Sequence, residues 1–103
     1  MGWRVRAIRG ATTVSENSVA AIRDAVQELL DELETRNRLE LSEVISVTFS
    51  ATPDLDAVFP AAIARQRPGW DDIALIDVQH MSVAGSLDPV SYTHLTLPTN
   101  REV

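Results

Sequence analysis

Residues Trp3–Arg9 (WRVRAIR) alternate, with Trp3, Val5 and Ala7 on one side and Arg4, Arg6 and Ile8 on the other. This period of two predicts a strand with one apolar face, and Gly10 with the Thr12-Thr13 pair is expected to break it. From Val14 to Leu39 the period changes: Val19, Ile22, Val26, Leu29, Leu30 and Leu33 recur at steps of three and four. Arg23, Asp24, Glu28, Asp31, Glu32 and Glu34 occupy the other side, which predicts a long amphipathic helix with Ser18 as its N-cap and its end near Asn37. Ser42-Glu43 reads as a short turn or a helical entry. Val44–Ser50 alternates again and predicts a second strand, with Ile45, Val47 and Phe49 as its apolar side. Thr52-Pro53-Asp54 has turn chemistry. Phe59–Arg67 predicts a short helix with Pro60 in its first turn, where the missing N–H costs little, ended by Arg67-Pro68-Gly69. Ile73–Met81 predicts a third strand, its apolar content supplied by Ile73, Leu75, Val78 and Met81. The order β-α-β-α-β describes a single α/β or α+β domain. Residues 84–89 read as a flexible stretch, and the alternation of Val90–Leu97 permits one more strand.

Composition narrows the chemistry. The chain has 103 residues, 45% hydrophobic and 23% charged, as expected of an ordinary globular domain. Fifteen acidic residues against nine basic give a net charge of −6, which argues against a broad basic face for nucleic acid. No apolar run approaches the length of a membrane span, and the expected location is cytoplasmic. All nine basic residues are Arg, so lysine chemistry is excluded. With no cysteine there is neither a disulfide framework nor a thiolate metal site, and no metal or cofactor is expected. So small a core favours support from oligomerisation.

Two longer motifs carry a resemblance. Ile8-Arg9-Gly10-Ala11-Thr12-Thr13-Val14 (IRGATTV) resembles the N-terminal signature of the Bacillus-type monofunctional chorismate mutases, and SATPDLDAVFPA over residues 50–61 resembles their second signature. Gly69-Trp70, Gln79-His80-Met81 and Gly85-Ser86-Leu87 keep that family's spacing. The resemblance implies an α+β fold of pseudo-α/β-barrel character, a mixed sheet packed on one long helix, assembled as a homotrimer with active sites in clefts between neighbouring subunits. The implied reaction is the pericyclic rearrangement of chorismate to prephenate, on the route to phenylalanine and tyrosine. It requires no nucleophile, proton relay or cofactor. Such an enzyme holds a dicarboxylate in its reactive conformer and places positive charge near the breaking ether bond, work that suits Arg.

By the same resemblance Arg9 is the strand arginine that contacts substrate, and His80 falls where the family has a glutamate accepting a hydrogen bond from the substrate hydroxyl. A neutral His accepts through one nitrogen, whereas a protonated one does not. Arg9 and His80 are therefore the expected catalytic pair. Phe59 and Ala61 fall on positions lining the apolar side of the cleft. Leu75, Ile76, Asp77, Val78, Gln79 and His80 form the third substrate-binding segment, although strand alternation turns Gln79 away. Asp77 stands where the best-known members have Cys; an acid there accepts the hydroxyl proton but repels carboxylates. Ala62 stands where a lysine is common.

The position of the family's second arginine, which meets the developing charge on the ether oxygen, is Tyr92 here. Residues 1–89 are thus expected to form an incomplete mutase domain and 90–103 a non-native tail. Loss of one transition-state donor costs about 10²–10³ in rate. The chain as written is expected to associate loosely and to turn over little chorismate. The alternative is a non-catalytic trimeric module that binds a small ligand or a protein in the same clefts; a trimeric imine deaminase fits less well, because its arginine-centred C-terminal motif is missing.

Overall fold

Ser18 sets the start of the longest element. Its backbone is extended (φ −139°, ψ 156°), and its Oγ accepts the Ala21 N–H at 3.1 Å, satisfying one of the amides that a helix start leaves unpaired. Helix α1 then runs Val19–Asn37 and stops where Arg38 turns left-handed (φ 49°, ψ 52°) and donates its N–H to the Glu34 carbonyl. The computed structural model describes residues 3–81, 83–84 and 92–102, with side chains described within 5–81 and 83–84. Ile22, Ala25, Val26, Leu29, Leu30 and Leu33 are buried along one face of α1. Val19 leaves the expected stripe and is 42% exposed, since a first-turn side chain has packing neighbours on one side only.

The strands are β1 (Trp3–Thr13), β2 (Ser46–Ala51), β3 (Ala74–Gln79) and β4 (Tyr92–Glu102), with helix α2 (Pro60–Arg65) between β2 and β3 and a 3₁₀ turn at Leu41–Glu43. They form one mixed sheet in the order β1-β4-β2-β3. β4 is antiparallel to both of its neighbours, and β2 and β3 are parallel, joined across α2. The fold is α+β: one long helix and one short one cover a single face of the sheet. Val14, Val47, Phe49, Ala61, Ile63, Ala64, Trp70 and Ile73 join the α1 stripe in the core between the layers. Among the described residues no helix is long and apolar enough to cross a membrane.

Three expectations about the strands are corrected. Gly10 does not end β1, which continues to Thr13. A Cβ on Gly10 would stand 2.9 Å from Leu29 Cδ1 and 3.2 Å from Leu33 Cδ2, so this glycine marks the close approach of β1 to α1. The face of β1 that meets α1 carries Ile8 and Gly10, while Val5 and Ala7 lie exposed on the outer face, the reverse of the predicted side. The other strands are shorter than predicted: Ile45 lies ahead of β2 and is exposed, and Met81 lies beyond β3 and is 81% exposed. Tyr92–Glu102, inside the segment expected to be a tail, is a strand between β1 and β2, its Pro98 past the last residue that β2 pairs, Thr96. The Gly85-Ser86-Leu87 turn and the expected boundary near Val90 lie outside the described residues.

Candidate active site

Because β2 and β3 are parallel, their C-terminal ends lie side by side, and the chain between them returns through α2. At this end Ala51, Phe59, Asp77, Val78 and Gln79 line an open concavity of about 270 Å³. Phe59 precedes α2 and is 71% exposed. Neither Phe59 nor Pro60 serves the helix start, since Phe59 offers no side-chain cap and Pro60 has no N–H. The cap comes from the sheet instead: Asp77 Oδ1 accepts the Ala61 N–H at 3.0 Å. Burial pushes the Asp77 carboxyl above its usual value of 3.8, and the Ala61 N–H and the nearby Arg65 charge offset this only in part.

Two more attachments fix the walls. The Asn17 amide accepts the N–H groups of Asp56 and Ala57 at 3.0 and 3.1 Å and donates to Asp56 Oδ1 at 2.6 Å. Beyond α2, the Arg67 guanidinium bonds Gln27, Asp31 and Glu34 on α1, while the other Glu34 oxygen accepts the Trp70 indole N–H at 2.9 Å. Arg67 also stands 5.8 Å from the Trp70 ring centre, a cation–π distance. At 12% side-chain exposure this arginine is screened far less than a surface ion pair. Local pattern marks Arg67 only as a helix end and Asn17 not at all, because their partners lie more than thirty residues away. Only the Trp70 of the Gly69-Trp70 pair gave a signal.

The expected site residues divide. Leu75, Asp77 and Gln79 share the helix-side face of β3 through their register with Val47, Phe49 and Ala51, so Gln79, expected to turn away, lines the concavity beside Asp77. Ile76 and Val78 lie exposed on the opposite face. Ala61 is buried in the core and meets the site through its backbone N–H. His80 follows the strand, and its N–H donates to the Ala51 carbonyl at 2.7 Å, which places it beside the concavity. Arg9 is not brought there. It lies on β1, the opposite edge of the sheet, in a row that crosses Thr96 and Thr48 to Ile76. Three strand spacings separate the ends of that row, roughly 14 Å. Arg9 instead borders a groove between β1 and α1, flanked by Glu28, Glu32 and Arg36.

The mixed sheet on one long helix and the two signature segments are accounted for by a family likeness that covers nearly the whole chain: residues 5–101 match the family described as chorismate mutase type I. The chain belongs to that family. The chorismate mutase AroH of Bacillus subtilis (strain 168) is 35% identical over 96 residues, which are 93% of this chain and 76% of that one. The chorismate mutase AroH of Thermus thermophilus is 40% identical over 87 residues, 84% of this chain and 70% of that one. A solved chorismate mutase from Clostridium thermocellum has a TM-score of 0.81 at 41% identity, covering 91% of this chain and 81% of that chain.

Proposed function

We propose that the chain rearranges chorismate to prephenate in a cleft that two copies of it build together within a homotrimer. Family membership supplies the reaction, in which the ether C–O bond breaks and a C–C bond forms inside one molecule, with no proton or electron exchanged with the protein. The observation that carries the shared cleft is the separation of the charges. Among the described residues the concavity beside Phe59 is lined by no cation, whereas Arg9 stands at the far edge of the same sheet. Arg65 is near enough to act on Asp77 but does not line the concavity, so a dicarboxylate there takes its arginine from a neighbouring copy. Phe59 provides the apolar wall, Asp77, Val78 and Gln79 of β3 the floor, with Leu75 and Ile76 further along the strand, and His80 a hydroxyl acceptor in its neutral form. Turnover is slow relative to the family, because Tyr92 holds the place where the resemblance puts a second arginine.

Mixed assemblies test this. Arg9→Ala and Phe59→Ala chains, each inactive alone, are co-assembled at equal amounts. Random association gives about a quarter of the sites both intact residues, and that share of activity returns. No recovery in co-assembled samples overturns the shared cleft, and full activity of Arg9→Ala alone overturns the role of Arg9.

A further inference from the structure

We propose that Asn17 is a positioning residue that holds the 54–59 loop, and with it the Phe59 ring, at the mouth of the site; this rests on the reading of Phe59 as a cleft wall. Asn17 sits next to Ser18, the cap of α1, so its backbone is tied to the most deeply packed element of the molecule. From there one side chain crosses to a loop some forty residues on and makes three bonds. Its Oδ1 accepts the Asp56 and Ala57 N–H groups, and its Nδ2 donates to the Asp56 carboxylate. Only an amide satisfies both ends, since a carboxylate has no donor and a hydroxyl does not span the two directions. Phe59 lies two residues beyond Ala57 and two before Ala61, whose N–H is held by Asp77. The loop is thus pinned on both sides of a ring that is itself exposed and makes no packing of its own in the core. Ordering an apolar ring before it meets its target removes the entropy of ordering from the binding step.

The test compares the wild-type chain with Asn17→Ala, Asn17→Asp and the double variant Asn17→Asp/Asp56→Asn. Amide exchange at residues 56 and 57 and the Phe59 ring signals are read by NMR, where only two phenylalanines contribute. Chorismate kinetics are read in parallel. In Asn17→Ala, exchange at the two amides rises about tenfold, as loss of their hydrogen bonds requires, and the ring signals broaden. KM rises by about the same factor, while kcat and the melting temperature change little. Asn17→Asp is worse, because it sets two carboxylates against each other. The double variant restores the pair with donor and acceptor exchanged, and KM recovers. A merely structural role would lower kcat with the folded fraction and raise exchange throughout the chain, and the double variant would then recover kcat and global protection together rather than KM alone. Unchanged exchange at residues 56 and 57, or an unchanged Phe59 signal in Asn17→Ala, overturns the proposal. A wild-type chain that leaves chorismate untouched overturns the functional reading alone, and the exchange and ring signals still decide whether Asn17 holds the segment.

Discussion

Asp77 shows how one side chain can be claimed by the fold before it reaches a substrate. Its Oδ1 caps a helix whose own N-cap residue is Phe59, so Asp77→Ala leaves the Ala61 N–H unpaired and costs about 0.5–2 kcal/mol in urea unfolding. Asp77→Asn keeps an acceptor and removes the charge. Because burial favours the neutral acid, the folded chain holds that proton more tightly than the unfolded one. The contribution to stability is full below the usual value of 3.8 and is lost as pH rises through the higher folded value. Asp77→Asn should therefore melt at or above the wild type at pH 7, with the advantage vanishing toward pH 4. Thr52 is a second case: it is buried, and its hydroxyl has no partner among the described residues. Thr52→Val should leave stability unchanged or raise it by up to about 1 kcal/mol, since it removes a desolvated group without changing shape.

At the scale of elements, the joint of α1 with β1 and β2 decides the fold. Leu30 is fully buried in the α1 stripe, and Leu30→Ala should cost about 2–5 kcal/mol. Gly10→Val should force β1 away from Leu29 and Leu33 and cost about 1–3 kcal/mol, measured by the same denaturant titration. A loss below about 0.5 kcal/mol in either, the range of surface changes, would contradict this joint. The Arg67, Glu34 and Trp70 cluster locks the C-terminal end of α2 to α1, while Asp77 secures its N-terminal end. Six residues are too few to make α2 stable by itself, so tertiary bonds at both ends hold it in place.

At the scale of the molecule, the described side chains of β1, β2 and β3 give the sheet one covered face and one more exposed face. Val5, Ile76 and Val78 are exposed on this face, with Ala7, Arg9, Ala11 and Thr48 between them. Further copies of the chain would cover such a face in the trimer proposed above, against the mutual repulsion of chains of net charge −6. Sedimentation of the wild type should show a trimer rather than the loose association expected from a tail that leaves the sheet open, since β4 fills the place between β1 and β2. Val5→Arg, at a position 66% exposed in the single chain, should shift it toward monomer with unchanged helix content. A wild-type monomer that is fully active would remove the need for a shared cleft.

Periodicity by itself determined the existence and type of α1, its cap at Ser18, the burial of Val47 and Phe49, and the order of elements, because those signals repeat locally at 3.6 or 2 residues. The two signature segments pointed to the family in the same way, as contiguous strings. Tertiary structure alone decided which face of β1 is inside. Val5 and Ala7 satisfy an apolar alternation, yet Gly10 is the residue that lets a helix approach, and it carries the opposite parity. It also decided the place of β4 between β1 and β2, and the distance of Arg9 from Phe59, since both depend on pairings between residues far apart in sequence. The bonds of Asn17 to the Asp56 and Ala57 N–H groups and of Asp77 to the Ala61 N–H belong to the same class. Each joins a side chain to a backbone group whose position only the folded sheet and helices fix, so no local pattern in the chain announces it.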